Sequence, residues 1–218
     1  MKPYITVLKT GIAEQSIERS RFIGHAIPAK SVSECEEFFE RINKEHRQAT
    51  HNVPAYVLGE SFQLQWAGDD GEPRGTAGAP IVHMLVKEGI SDVAVVVTRY
   101  FGGIKLGTGG LVRAYTSTAK LALVSAGLGR VSEKLIMDFE IEYPDYNRLK
   151  AAAGNMYIIE ETEFTENVTV RLACEPESRD KVLEELSAVC RNLLFQSEKT
   201  EKVIVPWERN GFVSGAER

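Results

Sequence analysis

The stretch VVVTRYFGGIKLGTGGLVRAY, residues 95–115, carries five glycines and three basic residues and contains no Asp or Glu. Its first part belongs to DVAVVVT (92–98), apolar and β-branched almost throughout, which predicts a central strand covered on both faces. Its last part opens LVRAYTSTAKLALVSAG (111–127). The alanines Ala114, Ala119, Ala122 and Ala126 predict a helix lying close on a sheet, and Gly127 its end. Between strand and helix sits a positively charged, glycine-rich elbow.

Three known chemistries use such an elbow. A dinucleotide fingerprint needs G-x-G-x-x-G directly after the strand and an acidic residue further on. Here the spacing differs, and no carboxylate follows before Glu133. A Walker A loop needs Gly-Lys-Ser/Thr at the helix start, where this chain has Gly107-Thr108-Gly109-Gly110. A generic anion nest remains: glycines let successive N–H groups turn inward, and the helix N-terminus adds the positive end of its dipole. Arg113 is expected in the first helical turn, where a cation opposes that dipole by about 0.3–1 kcal/mol; a bound phosphate would reverse the sign. The expected contact set is Arg99, Tyr100, Gly102, Gly103, Lys105, Gly107, Thr108, Gly109, Gly110 and Arg113. In the competing reading the glycines only allow tight packing and the basic residues pair with nearby carboxylates.

The acidic turn GDDGEPRG (68–75) could supply those carboxylates. Asp69, Asp70 and Glu72 could also hold a hard cation such as Mg²⁺, or act as turn formers with Gly71 at positive φ. The turn is favoured, with its carboxylates as internal partners of the elbow. Arg74 and Thr76 lead from it into the next helix. His51 and Asn52, in ATHNVPAYVLG, have the chemistry of a base and an oxyanion donor, but no nucleophile accompanies them. His83, among Ile81, Val82, Met84 and Leu85, reads as a packed histidine. No catalytic residue, metal or cofactor is assigned.

Outward from the elbow, YITVL (4–8) and RFIGHAIPA (21–29) read as strands, and SVSECEEFFERINKEHRQA as a helix with Ser33 and Glu36 as capping box. VPAYVLG (53–59) and FQLQWA (62–67) read as a hairpin; Phe62, Leu64 and Trp66 alternate with glutamines as on a half-buried strand. GLGRVSEK (127–134) reads as a linker. Beyond it the order is β-α-β-β-α-β, the ferredoxin-like arrangement, over 135–206, with a tail at 207–218. The fold class is α+β.

Of 218 residues, 43% are hydrophobic and 26% charged, a globular composition. The net charge of −5 divides unevenly. Residues 1–130 hold 15 Lys and Arg against 13 Asp and Glu, a balance of +2; residues 131–218 hold 11 against 18, a balance of −7. An anionic partner would meet the local field of 93–132, with five basic residues and no acid. Three scattered cysteines suit neither a disulfide framework nor zinc, which points to a reduced cytoplasmic protein with no membrane segment.

ATHNVPAY, DDGEPRGTAGAP and VVVTRYFGGIKLGTGGLVRAY closely resemble the signature blocks of the IMPACT family in its bacterial, YigZ-like form. The resemblance implies a ribosomal protein S5 domain 2-like fold over 1–130, followed by a ferredoxin-like domain similar to the last domain of elongation factor G. Eukaryotic members of the family regulate translation. The resemblance therefore implies a non-enzymatic regulatory or binding protein whose partner is RNA, another phosphate-rich ligand or a ribosome-associated factor. A monomer or weak dimer is expected. The alternatives are an enzyme acting on a small phosphorylated substrate, and a protein-interaction module.

Overall fold

A computed structural model describes residues 3–152 and 156–207. The chain is α+β and forms two compact units. One runs to Val131 and resumes at Ile204; the other is Ser132–Val203.

The first unit is built on a five-stranded antiparallel sheet, in the order β2 (Gly11–Ile17), β3 (Ser20–Pro28), β6 (Val93–Tyr100), β4 (His51–Leu58), β5 (Leu64–Ala67). The apolar run of β6 takes the centre because only a strand buried on both faces can hide it. Val93, Val95 and Val97 enter a core under α2 (Gly78–Glu88) and α3 (Gly107–Ala126). Ala94 and Val96 enter a second core, under α1 (Val32–Glu45) with Cys35, Phe38, Phe39 and Ile42. The small residues of α3 let it lie on the sheet at close range. A Cβ at Gly24 of β3 would come within 2.6 Å of the Thr118 carbonyl oxygen.

Several local expectations are corrected. Helix α1 is capped by Ser31, whose Oγ accepts the Glu34 N–H at 3.3 Å, while the Glu34 carboxylate accepts the Lys30 N–H at 2.9 Å. The capping box is thus two residues earlier than Ser33 and Glu36; both pairs meet the spacing, and the earlier one starts the helix at Val32. Strand β5 is an edge strand, so Leu64 and Trp66 are exposed rather than half-buried. His83 is exposed too, because Ile81, Met84 and Leu85 form the inward face of α2. Strand β2 has no apolar alternation to announce it.

The expected linker is part of one strand, β7 (Leu128–Ile141). Its first four residues pair with β1 (Tyr4–Val7), and 135–141 pair with β9 (Val168–Cys174). Leu128 and Val131 are apolar anchors, and the polar residues 132–134 are too few to interrupt an extended chain.

In the second unit β7 is followed by α4 (Tyr143–Ala152), β8 (Tyr157–Phe164), β9, α5 (Arg179–Val189) and β10 (Leu193–Pro206). The sheet order β10-β7-β9-β8 is ferredoxin-like. Met137, Phe139, Val170 and Leu172 bury one face of that sheet with Leu149, Val182 and Leu186 from the helices. Residues 153–155 of the expected first helix and 208–218 of the expected tail lie outside the described residues. Trp207 packs on the first core and donates its N–H to the Leu128 carbonyl at 2.8 Å.

His25 of β3 is buried with its ring 5.1 Å from that of His46. Burial, then the charge of His46, pushes His25 down to about 4, with Glu45 opposing and Arg41 reinforcing the shift. Between that value and the unfolded 6.5, the unfolded chain binds the extra proton, so stability falls as pH drops through this window. His25→Asn should flatten the decline in urea midpoint between pH 7 and pH 5. An unchanged decline would place its origin elsewhere.

Candidate functional site: a cleft at the N-terminus of α3

Strand register builds the floor of the cleft. Arg99 of β6 stands opposite Phe22 of β3 and His51 of β4, so the three side chains share one sheet face. The Arg99 guanidinium lies 5.3 Å from the Phe22 ring centroid and 5.2 Å from that of Phe101. Its Nη1 donates to Glu72 Oε1 at 2.6 Å and its Nη2 to Ser20 Oγ at 3.3 Å. The same Glu72 oxygen accepts the Tyr115 hydroxyl at 2.7 Å. Burial, then Glu72, pushes that hydroxyl far above the usual phenol range, so it remains a donor. Arg99 is 4% exposed and Glu72 8%.

Above this floor a cavity of about 410 Å³ is bounded by Thr50, His51, Pro73, Phe101, Lys105, Leu106, Gly107, Thr108 and Leu111. Helix α3 begins here, at Gly107, with no side-chain cap and no acidic residue in its first turn. His51 Nδ1 lies 2.7 Å from the Asp70 carbonyl, which can only accept, so Nδ1 carries the hydrogen. Nε2 is turned toward Glu72, 3.7 Å from Oε1.

The expected residues do not all converge. Lys105, Gly107 and Thr108 line the cleft, as does His51. Arg99 lines the cleft from below together with Glu72, its Nη1 and Nη2 engaged by Glu72 and Ser20. Tyr100 is turned to the opposite sheet face, because neighbours on a strand alternate. Its hydroxyl meets His46 Nδ1 at 3.0 Å, and Arg21 lies over its ring. Because α3 starts four residues earlier than expected, Arg113 is in its second turn, not its first. With Gly110, Gln15 and Glu18 it lines a second cavity of about 560 Å³, which shares Lys105 and Leu106 with the cleft.

Gly102 is fixed by crowding: a Cβ there would lie 1.9 Å from the Arg19 carbonyl oxygen. Gly103 and Gly107 have φ of 88° and 70°, which L side chains rarely adopt. A Cβ at Gly110 would meet Leu106 at 2.9 Å, whereas one at Gly109 would meet nothing within 4 Å.

The acidic turn is structural in its contacts. Asp69 accepts N–H bonds from Gly75, Ala77 and Gly78 at 2.7, 3.2 and 2.9 Å and so caps α2. Burial alone would raise its carboxyl, but those donors, with Arg74, hold it below the ordinary value. Asp70 accepts the Asn52 N–H at 2.6 Å, at φ 44°, beside Gly71 at 85°. Glu72 serves Arg99 and Tyr115. The three carboxylates face different partners, and no His, Cys, Asp and Glu group among the described residues could hold a metal ion. Asn52 is engaged by Thr98 and the His46 carbonyl, Thr76 donates to the Pro73 carbonyl, and Arg74 is exposed. Ser20 and Phe22 reach the site only through strand register.

Residues 18–123 match the Impact N-terminal domain, a span that contains every residue of the cleft, and residues 139–192 match a domain of unknown function, DUF1949. IMPACT family member YvyE of Bacillus subtilis is 43% identical over 171 residues, 76% of either chain. The chain belongs to the IMPACT family. A further IMPACT family member, YigZ of Escherichia coli, is 37% identical over 142 residues, covering 64% of this chain and 70% of that one. The crystal structure of a hypothetical protein aligns over 96% of this chain and 100% of its own, with TM-score 0.57 and 28% identity. The VVVTRYFGGIKLGTGG block of this IMPACT chain is the segment that carries β6, the elbow and the start of α3.

Glu72→Ala should cost about 3–5 kcal/mol in urea unfolding, because it leaves the Arg99 charge buried without its partner. The exposed Arg21–Glu14 pair is of nearly the same length, 2.7 Å. Arg21→Ala should nevertheless cost far less, because water screens a pair in which both partners are exposed. Equal losses would mean that burial does not set the value of the Arg99–Glu72 pair.

Proposed function

We propose that this IMPACT family chain is a non-catalytic binding protein that acts in translation, taking a phosphate-bearing ligand, foremost single-stranded RNA, in the cleft at the N-terminus of α3. The observation that carries the reading is the free first turn of α3. Its N–H groups open on a cavity beside Lys105, with no acidic residue of their own to satisfy them. Phe101 at the rim is 45% exposed on the side away from Arg99 and offers a face for one base. Base stacking of this kind contributes about 1–3 kcal/mol. Binding is favoured over catalysis because Asp69 is held by α2, Glu72 by Arg99 and Tyr115, and Asn52 by Thr98, which leaves His51 in the cleft beside a carboxylate already engaged. Family membership supports the link to translation.

The test is fluorescence anisotropy with a labelled oligouridylate 12-mer. Two phosphate contacts would give a slope of about −1.4 in log K against log salt, and Lys105→Ala should reduce it by about 0.7. Phe101→Ala should weaken binding at all salt concentrations. Gly109→Ala should stabilise α3 by up to about 1 kcal/mol, since alanine is the better helix former, yet lower RNA affinity by placing a methyl where the ligand approaches. Binding that ignores both salt and Gly109→Ala would remove the cleft from consideration.

A further inference from the structure

Strand β5 is the outer strand of the first sheet, and among the described residues no strand pairs with its free edge. Edges are normally guarded by charge, proline or a bulge. This one reads LQWA, with none of them, and Leu64 and Trp66 are 54% and 47% exposed. Trp66 stands opposite Tyr56 in the β4–β5 register and stacks on it, with ring centroids 5.9 Å apart. It also stacks on Phe39 of α1 at 6.0 Å, and Phe39 stacks on Tyr56 at 6.4 Å. An unpaired backbone edge therefore adjoins an aromatic ledge, with exposed Trp66 and half-buried Tyr56 resting on the buried ring of Phe39.

The charge beside the ledge is negative. Helix α1 carries five glutamates against Arg41 and Lys44, a balance of −3. Glu36 and Glu40, both exposed, flank Phe39 at i−3 and i+1 on the helix.

We propose that the β5 edge and the Phe39–Tyr56–Trp66 ledge dock an extended basic segment of a partner protein, which adds a strand to β5. Backbone pairing satisfies the open edge, and the two-residue period of a strand puts alternate side chains on one face. Those side chains are Lys or Arg, which lie over the rings and reach Glu36 and Glu40. The acidic helix decides among occupants. A nucleic acid would bring phosphates against α1. A second copy pairing β5 to β5 would bring two acidic α1 helices to the same side of the joined sheet.

The probe is an acetylated, amidated nonapeptide of alternating Lys and Val, with a Glu–Val peptide as its counterpart. The Lys–Val peptide should slow amide exchange across residues 64–67 and perturb Trp66 fluorescence, and the Glu–Val peptide should do neither. Glu36→Lys with Glu40→Lys, both at exposed helix positions, should weaken Lys–Val binding by about tenfold or more, the size expected for reversed close charge pairs. Trp66→Ala should weaken it in a fold shown to be intact by circular dichroism. Equal binding of the two peptides, unchanged exchange at 64–67, or affinity indifferent to the double charge reversal would overturn the proposal. So would oligouridylate protecting the same amides, or self-association lost with Trp66→Ala in sedimentation.

Discussion

The buried pair Arg99–Glu72 is the constraint on which the first unit turns. It gathers four segments that are distant in sequence: the end of β6, the turn before α2, the third turn of α3 through Tyr115, and the start of β3 through Ser20. Removing two charges from water costs several kcal/mol each, and attraction offsets this only where the remaining donors and acceptors are also served. Here Glu72 Oε1 receives two hydrogens and Arg99 donates through Nη1 and Nη2, while its Nε is buried without a hydrogen-bond partner among the described residues; the guanidinium is enclosed by Phe22 and Phe101, whose ring faces favour a cation. An arginine suits this place because its flat guanidinium stacks between rings while its edge donates.

That pair also sets how the chain leaves the central strand. With Arg99 drawn down to Glu72 and Tyr100 turned to His46, the strand ends and Phe101 lays its ring against the Arg99 guanidinium. The turn is anchored by the Phe101 N–H donated to Thr50 Oγ1 at 3.0 Å and the Gly102 N–H donated to Ser20 Oγ at 3.2 Å. The elbow's geometry follows from these anchors, and α3 is launched from them.

Much of the fold was legible in the sequence for a physical reason: long apolar runs admit few placements. The β-branched segment before the elbow could only be central, and the β-α-β-β-α-β order of the second half needed only element types. The site was less legible. That Arg99 and Tyr100 would face apart follows from strand alternation alone and could have been read from VVVTRY. The start of α3 was misplaced because glycines and Thr108 are poor helix formers; a first turn made of Gly107, Thr108, Gly109 and Gly110 is held by context rather than propensity. Ser20 and Phe22 were beyond reach, since only register brings them beneath Arg99. The polar residues 132–134 suggested a linker, but the pairing of 128–131 with β1 keeps that chain extended.

Once Arg99 is engaged, the positive character of the cleft comes from Lys105 and the free N–H groups of α3, a weaker and more local field than the sequence count implies. The glycines of the elbow divide in the same way. Gly102 and Gly110 have no room for a Cβ, and Gly103 and Gly107 hold a φ that side chains resist. Each of these four is explained by the protein's own backbone or packing. Gly109 is not: it sits in a helical turn, where glycine is less favourable than alanine by about 0.8–1 kcal/mol, and the space its side chain would enter is open. Under the proposed reading, this open position is the one a ligand would approach. In this elbow that position lies on the first turn of α3, where the free N–H groups are.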